Sequence, residues 1–278
     1  MLYVSDLDGT LLNSCGKLTE TSRELLGLLL AGGMQFTVAS ARSVWSIGSM
    51  LEGLDIRLPV IEFNGAFITD LQTGRHLTVN SLSNAVKHGI YYEIQAAGFL
   101  PFISTYDGER DNLYHSKILN DGMRWYYDDR TALKDPRLRP PRELEGVLDE
   151  QVICFTVIDR EEALKPLEAR LKRLYGELIS LHLFRHLYSA GWCWLTVHDA
   201  RACKARALKT LLDMLGLPPE ELTVFGDDIN DISMFEQAGR AIAVANAIED
   251  VKKRADLLIG SNEEDSVARF IEKEFCGG

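Results

Sequence analysis

Basic residues are scarce in this chain of 278 residues. It carries 30 Lys and Arg side chains against 41 Asp and Glu, so its formal net charge is -11. Nucleic-acid binding needs a basic surface that neutralises phosphates, and docking on an anionic membrane has the same requirement. We therefore expect neither kind of partner. A phosphorylated small molecule is still compatible with this charge if positive groups and a metal ion are concentrated locally.

Cysteine pairs and long apolar runs are also lacking. The five cysteines are odd in number and widely spaced, and no Cys-x-x-Cys pair occurs. This pattern argues against a disulfide framework or a zinc site and indicates reduced thiols. No apolar run approaches the ~20 residues that span a bilayer, and the first residues lack the regions of a signal peptide. We expect a cytoplasmic protein.

Strands and helices alternate in the first and last parts of the chain. The patterns predict strands at 2–5, 35–39, 58–61, 222–225, 241–244 and 257–259, and helices at 19–31, 43–51, 204–215, 231–238 and 267–274. The first helix opens with threonines that can cap it, and Thr21 and Glu24 have the spacing of a capping box there. Strands separated by helices indicate a parallel sheet with helices on its faces.

The middle of the chain has a different order of elements. Helices are predicted at 83–97 and 161–175, strands at 152–158, 179–188 and 192–198, and a surface loop at 128–145. Successive strands without helices between them indicate an α+β unit with an antiparallel sheet. We therefore predict an α/β domain formed by residues 1–81 and 199–278, interrupted by an α+β insert at residues 82–198.

Two aspartates, Asp6 and Asp8, directly follow the first predicted strand, and Gly9 comes next. The carboxyl ends of strands form the ligand crevice of an open α/β sheet. There, one carboxylate can attack phosphorus and the other can transfer protons to the leaving group and from water. An acidic turn without chemistry is the alternative, and for an isolated Asp-x-Asp it is the more common explanation.

A second acidic cluster contains Asp227, Asp228, Asn230 and Asp231, again just after an apolar strand. Close acids repel one another unless a cation offsets their charge, and Mg²⁺ prefers such oxygen ligands. Asp6, Asp227 and the main-chain carbonyl of Asp8 are the candidate ligands. The alternative is a solvated helix N-terminus, where Asp and Asn are favoured. Two such clusters at strand ends make coincidence a poor explanation.

Ser40 and Lys204 are candidates for holding a phosphate. Ser40 and the following Ala41 lie where a strand turns toward a helix, so a hydroxyl and backbone N–H groups can meet phosphate oxygens there. Lys204 begins a predicted helix and can neutralise charge on the transferred group. Taken singly, a serine in a turn or an exposed lysine is more often structural.

These motifs resemble the haloacid dehalogenase-like superfamily in its phosphatase branch. Asp6-Leu7-Asp8-Gly9-Thr10, Ser40, Lys204 and Gly226-Asp227-Asp228 with Asn230-Asp231 match its four signatures in order. Asn64-Gly65 and Ala245-Asn246-Ala247 resemble its Cof-type group. The resemblance implies a Rossmann-like parallel-sheet core with helices on both faces and an inserted α+β cap of the C2B type with an antiparallel sheet.

The resemblance also implies roles for individual residues. The implied roles are nucleophile for Asp6, general acid/base for Asp8, phosphate binding for Ser40, Ala41, Lys204, Gly9 and Asn230, a magnesium site with Asp6, Asp8, Asp227 and Asp231, and support of this face for Asn246. Dehalogenases of the superfamily lack an acid/base aspartate at the position of Asp8, so the branch is that of phosphatases and phosphomutases. Ala41 and Ala205 stand where the family usually has glycine, and we expect them to tune activity.

Residues that select the substrate are expected in the insert. The candidates there are Arg124, Trp125, His182, Arg185, His186 and Trp192, and Arg42 and Asn64 are further candidates in the core. On a strand, His182 and His186 share one face with Phe184, which argues against a zinc pair on a helix. For each residue the alternative is ordinary packing or exposed sheet surface.

The sequence does not decide between three functions for this site. The leading hypothesis is a Mg²⁺-dependent phosphatase that acts on a small phosphorylated metabolite such as a sugar phosphate. A phosphomutase of the same superfamily is the nearest alternative, and a binding protein that has lost turnover is a third. Neither the particular substrate nor the oligomeric state follows from the sequence.

Overall fold

The computed structural model describes residues 1–185 and 189–277. It divides into two compact units. The first, called the core unit below, comprises Met1–Val79 and the chain from Cys203 onward, and the second, called the insert unit, comprises Asn80–Ala202. The chain passes from one unit to the other between residues 79 and 80 and between residues 202 and 203. The boundaries predicted from the sequence lie at 81/82 and 198/199.

The elements of the described residues follow in chain order. The strands are β1 Leu2–Ser5, β2 Gln35–Val38, β3 Val60–Glu62, β4 Phe67–Thr69, β5 His76–Val79, β6 Phe102–Tyr106, β7 Asp111–Tyr114, β8 Gln151–Asp159, β9 Ile179–Arg185, β10 Cys193–Asp199, β11 Leu222–Gly226, β12 Arg240–Ala243 and β13 Leu257–Leu258. The α-helices are α1 Glu20–Ala31, α2 Val44–Met50, α3 Asn84–Ala96, α4 Asp121–Ala132, α5 Glu161–Tyr175, α6 Lys204–Leu215, α7 Ile232–Phe235, α8 Glu249–Lys252 and α9 Ser266–Gly277. Short 3-10 helices span Phe63–Gly65, Glu145–Asp149, Gly176–Leu178, Pro219–Glu221, Ile229–Asp231 and Asn262–Glu264.

Five parallel strands form the main sheet of the core unit, in the order β13-β12-β11-β1-β2. β1 pairs with β11 on one side and with β2 on the other. Every residue of β1 and β11 is buried, as in parallel strands that are covered on both faces. Helix α1 packs against α9 and α6 against α7, and their apolar sides join the strands in one hydrophobic cluster. The predicted α/β class with a parallel sheet is confirmed.

A second, antiparallel sheet of the core unit has the order β3-β4-β5. A parallel bridge between Ala39 and Ile61 connects it to the end of β2. Strands β4 and β5 were not predicted, because three or four residues give too short a pattern to separate from a loop. The sheet places the turn after β3 beside the residues that follow β2.

The insert unit contains an antiparallel sheet in the order β7-β6-β8-β10-β9. Alternate residues of a strand point to opposite faces, and each face has its own apolar cluster. Phe155 and Val157 of β8 pack with helices α3 and α5, whereas Ile158 packs with the aromatic side chains of α4, including Trp125. This architecture agrees with the predicted α+β class.

Several local predictions need correction. The loop predicted at 128–145 is helical at its start, because α4 extends over Asp121–Ala132. This helix begins after Asn120, whose side chain accepts a hydrogen bond from Met123 N–H. The helix was not predicted because its sequence is largely polar. The hairpin of β6 and β7 was not predicted either. The strand predicted at 179–188 ends at Arg185, and residues 186–188 lie outside the described residues.

Two smaller observations concern helix starts and cysteines. Helix α1 begins after Thr19, whose Oγ1 accepts the Ser22 N–H at 3.0 Å, and not at the predicted capping box. All five cysteines lie in the described ranges, and none of them is in a disulfide. Within residues 1–185 and 189–277, we find no helix with the length and apolar character that crossing a bilayer requires.

Candidate active site

Asp6 lies at the carboxyl end of the central strand β1. Its backbone N–H donates to the carbonyl of Phe225 on β11 at 3.0 Å, which continues the parallel pairing by one residue. Its side chain is buried, with 6% of the residue exposed. The first residue after β1 therefore lies beside the end of β11, where Asp227 follows.

Lys204 connects Asp6 to the second acidic cluster. Its Nζ donates to Asp6 Oδ1 at 2.5 Å and to Asp231 Oδ1 at 2.7 Å, and the lysine is buried. It is the first residue of α6. The start of this helix can approach the turn after β3 because Gly65 has no side chain: a Cβ there would lie 2.6 Å from the carbonyl oxygen of Cys203.

Asp231 is fully buried and organises the loop after β11. Its Oδ2 accepts the backbone N–H groups of Asp227 at 2.9 Å and of Asp228 at 3.1 Å. A Cβ at Gly226 would lie 2.6 Å from the Asp231 side chain. Glycine is therefore needed at the end of β11 for the loop to bring Asp231 so close to it. Asp231 thus positions both Lys204 and the loop that carries Asp227.

Asp227 faces the turn that follows Asp8. Its Oδ1 accepts a hydrogen bond from Thr10 Oγ1 at 2.6 Å. Gly9 has a φ of +82° and lies against the Asp227 carboxyl group, so any side chain at this position would be both strained and obstructed. The chain turns at Gly9 as the sequence predicted, and Thr10 is an additional site residue that the motif contained without a role.

Carboxylate oxygens of Asp6, Asp227 and Asp231 lie within 4.8 Å of one another. Burial raises the pKa of Asp6 well above its usual range against the opposing charge of Lys204, and Asp231 and Asp227 raise it further. Burial and then the Asp231 charge raise the pKa of Asp227 to about 7. Burial alone would lower the pKa of Lys204, but the charges of Asp231 and Asp6 outweigh it.

This cluster fits a divalent cation. Three carboxylates and one ammonium group leave two negative charges uncompensated when all are ionised, and the donors are the oxygens that Mg²⁺ prefers. The Asp8 carboxylate is not part of the cluster. Both of its oxygens accept hydrogen bonds from Arg42, from Nε and Nη2, each at 2.6 Å.

Backbone hydrogen bonds from Ser40 tie the turn after β2 to strand β3 and the turn that follows it. Ser40 is buried, its N–H donates to the Ile61 carbonyl at 2.9 Å, and its carbonyl accepts from Asn64 N–H at 2.9 Å. Ala41 is exposed and is not among the residues with positive φ, and Ala205 lies within helix α6. Neither alanine therefore occupies a backbone conformation that requires the glycine common in the family.

Two asparagine contacts connect the loops around the cluster. Asn64, in the left-handed region with a φ of 55°, accepts a hydrogen bond from Asn230 Nδ2 at 3.1 Å. Asn246 donates to the carbonyl of Gly9 at 2.7 Å. Asn230 thus joins the loop after β11 to the turn after β3, and Asn246 supports the turn of the first acidic segment.

The candidate residues of the insert unit have local partners. His182 Nε2 lies 3.0 Å from Ser180 Oγ, Arg185 pairs with Glu161 at 2.8 Å, and Arg124 lies 4.0 Å from Asp128. Trp125 stacks edge-on against Trp194, and Trp192 lies under the Arg160 guanidinium. The aromatic candidates therefore take part in packing, which was the alternative interpretation. His186 lies outside the described residues.

Comparisons with known proteins identify the family of this chain. The profile of the haloacid dehalogenase-like hydrolase family matches residues 3–271. The 5-amino-6-(5-phospho-D-ribitylamino)uracil phosphatase YwtE of Bacillus subtilis is 29% identical over 293 residues, covering 98% of this chain and 97% of the relative. The pyridoxal phosphate phosphatase YbhA of Escherichia coli is 28% identical over 281 residues, covering 96% and 95%.

A solved structure gives the same result. The crystal structure of a haloacid dehalogenase-like hydrolase from Bacteroides thetaiotaomicron has a TM-score of 0.80 and 28% identity, and the match covers 98% of each chain. The α/β fold, the family match and the phosphatase relatives together identify a phosphoric monoester hydrolase. The chain belongs to the haloacid dehalogenase-like hydrolase family, among its Cof-type phosphatases, as its motifs predicted.

Proposed function

We propose that this protein is a Mg²⁺-dependent phosphatase that hydrolyses a small phosphorylated metabolite, such as a sugar phosphate, through a phosphorylated Asp6. The observation that carries the proposal is the bridge from Lys204 to Asp6 and Asp231, with Asp227 alongside. A nucleophile, a fixed cation and an acidic cluster for a metal lie together at one edge of the sheet.

The first step is attack by Asp6 on the substrate. An Asp6 oxygen forms a bond to phosphorus while the bond from phosphorus to the leaving oxygen breaks. Asp8 gives its proton to that oxygen, so the product leaves as an alcohol. Lys204, already bound to Asp6 Oδ1, holds the carboxylate in place and offsets charge on the phosphoryl group.

The second step returns the enzyme to its starting state. Water attacks phosphorus, the bond to Asp6 breaks, and the electron pair goes back to the Asp6 carboxylate. Asp8 accepts the proton of the attacking water, and inorganic phosphate leaves. In the Ser40 turn, held by the Ile61 and Asn64 backbones, the Ser40 hydroxyl and the Ala41 N–H are the groups suited to phosphate oxygens.

Asp6, Asp227 and the main-chain carbonyl of Asp8 would hold Mg²⁺, with Asp231 orienting the loop. A bound Mg²⁺ reduces the repulsion between the Asp6 carboxylate and the phosphate dianion and stabilises charge on the transferred group. The named substrates of the two relatives are a ribitylaminouracil phosphate and pyridoxal phosphate. Both are small phosphorylated metabolites, which supports that class of substrate here.

A metabolite screen tests this proposal. Purified protein is incubated with a panel of phosphoesters with and without Mg²⁺, and released phosphate is measured. We expect turnover of at least one sugar or coenzyme phosphate that stops on chelation, and at least a 1,000-fold loss in Asp6→Asn, since the nucleophile is removed. The exposed Asp213 on α6 provides a matched control, Asp213→Asn, which should keep full activity.

Three results would contradict the proposal. They are no turnover of any phosphoester by the wild-type protein, full activity of Asp6→Asn, and an isomerised phosphoester in place of inorganic phosphate. The last result would identify a phosphomutase. Mass spectrometry of acid-quenched enzyme adds a direct test, because a phosphoryl group should be found on Asp6 during turnover.

A further inference from the structure

Arg42 lies against the acid/base candidate Asp8. Its Nε donates to Asp8 Oδ2 and its Nη2 to Asp8 Oδ1, each at 2.6 Å. A paired contact of this kind fixes both the position and the plane of a carboxyl group, which a single hydrogen bond or a lysine does not do. The Arg42 side chain is 17% exposed and that of Asp8 28%, so solvent weakens the pair only in part.

The backbone of Arg42 is itself held in place. Its N–H donates to Ser40 Oγ at 3.2 Å, and its carbonyl accepts the Phe63 N–H at 3.1 Å. The N–H of Val44, at the start of α2, donates to the buried carboxylate of Glu62 on β3. The guanidinium group therefore extends from an anchored turn, and the orientation of Asp8 is set from a point 34 residues away in the chain.

We propose that Arg42 is a positioning residue for Asp8. It holds the Asp8 carboxyl group where a proton can pass to the leaving oxygen in the first step and from water in the second. This inference rests on the proposed function. The sequence indicated that Arg42 contacts the substrate, whereas in the structure its guanidinium group binds Asp8.

The proposal predicts a particular kinetic pattern for Arg42→Met. An aryl phosphate with an activated leaving group needs no proton to form phospho-Asp6, so its kcat/KM should stay within about fivefold of wild type. An alkyl phosphate does need that proton, so its kcat/KM should fall about 100-fold. With the aryl ester, slow hydrolysis of phospho-Asp6 should lower kcat and produce a burst of the released phenol.

The experiment compares four variants with the wild type on p-nitrophenyl phosphate and on one alkyl phosphate from the metabolite screen. Arg42→Met removes the paired contact, and Arg42→Lys keeps the charge and should lose about tenfold on the alkyl ester. Arg57→Met breaks an exposed Arg–Asp pair with Asp55 in the same unit and should behave as wild type. Asp8→Asn shows the kinetic pattern that Arg42→Met should reproduce if Arg42 acts through Asp8.

A double variant completes the cycle. If Arg42 acts through Asp8, Arg42→Met combined with Asp8→Asn should be no slower than Asp8→Asn alone, because the two changes remove the same function. Acid-quenched samples should show phospho-Asp6 accumulating in Arg42→Met on the aryl ester.

Other outcomes would overturn the assignment. Equal losses on both esters with a raised KM would make Arg42 a direct phosphate contact, and multiplied losses in the double variant would make its role independent of Asp8. If Arg42→Met does not fold, equal losses of Arg42→Lys on the two esters would refute the proposal in the same way. A wild-type protein without turnover would instead refute the proposed function.

Discussion

At the scale of single residues, the ammonium group of Lys204 joins two carboxylates that are far apart in the chain. Asp6 precedes it by 198 residues, and Asp231 follows it by 27. All three side chains are buried, so each charge depends on the others for its partner. This dependence leads to a prediction about stability as well as about activity.

We predict that Lys204→Met lowers the free energy of unfolding by about 3 kcal/mol at neutral pH, because it leaves Asp6 and Asp231 buried without their cation. Phosphatase activity should fall at least 100-fold. Urea unfolding and phosphate release are the measurements. Lys209→Met, an exposed position on the same helix, should change neither, and equal effects at both positions would contradict this explanation.

His198 provides a pH prediction in the insert unit. It is buried on β10, with Nε2 3.5 Å from Cys154 Sγ, and burial followed by the nearby His182 lowers its pKa to about 3. The unfolded chain takes up a proton near pH 6.5 that the folded protein does not bind. The contribution of neutral His198 is therefore fully present above that pH and is lost as the pH falls toward 3.

Between pH 7.5 and pH 5, the free energy of unfolding of the wild type should fall about 2 kcal/mol more than that of His198→Gln, which cannot take up the proton. Chemical denaturation at both pH values gives the two differences. Other acidic and basic groups contribute equally to both proteins and cancel in the comparison. Identical pH dependence of wild type and variant would show that His198 is not the group responsible.

At the scale of elements, the approach of α6 to the turn after β3 depends on Gly65. Its φ is +98°, and a Cβ would lie 2.6 Å from the backbone of Cys203, the residue before Lys204. Gly53 has a similar φ of +87° with nothing within 4 Å. A substitution at either glycine strains the backbone, but only one at Gly65 also obstructs the contact with α6. Comparing the two substitutions therefore separates the two effects.

We predict that Gly65→Ala displaces the start of α6 and reduces kcat/KM at least tenfold. Gly53→Ala should lower stability by about 1 kcal/mol through strain alone and leave kcat/KM unchanged. Steady-state kinetics and thermal unfolding on both variants are the test. Equal kinetic effects of the two substitutions would show that strain, and not the displaced helix, is responsible.

The elements also show what could be predicted from the sequence. Strands β1 and β11 were predicted because continuous apolar runs followed by acids mark buried strands that end at a polar edge. Helix α4 was not predicted, because its residues include Arg124, Asp128, Asp129 and Arg130, which obscure an apolar stripe. Its aromatic residues pack against the sheet all the same, and that contact is tertiary.

Contacts between distant segments were the other limit. The pairing of Arg42 with Asp8 depends on how the turn after β2 lies beside the turn after β1, and no local period encodes that distance. The same holds for Thr10 and Asp227, which are 217 residues apart. The motif contains the proposed reacting groups, whereas the contacts that Arg42 and Thr10 make to them became visible only in three dimensions.

At the scale of the whole molecule, the core and insert units have separate apolar clusters without shared residues. Of the four tryptophans, Trp45 belongs to the core unit and Trp125, Trp192 and Trp194 belong to the insert unit. Fluorescence of Trp45→Phe therefore reports on the insert unit alone. The carboxylates of Asp6, Asp227 and Asp231, which could hold a metal ion, all lie in the core unit.

We predict that Mg²⁺ raises the unfolding temperature of the core unit only, since a ligand at 100 times its Kd adds about 2.7 kcal/mol to the state that binds it. Far-UV circular dichroism of Trp45→Phe should show one transition that moves with Mg²⁺, while the fluorescence transition stays in place. Asp227→Asn should abolish the movement. A fluorescence transition that moves equally would mean that the two units unfold together.

The position of β1 between β2 and β11 also affects folding during synthesis on the ribosome. Asp6 is synthesised before the neighbouring strand β11, which emerges only after the complete insert unit, Asn80–Ala202, has been made. The insert is one continuous segment, so it can form its sheet before the main sheet is complete, because β11, β12 and β13 are synthesised later. A nascent chain that stops before residue 222 thus has Asp6 at the end of a strand that lacks its β11 partner.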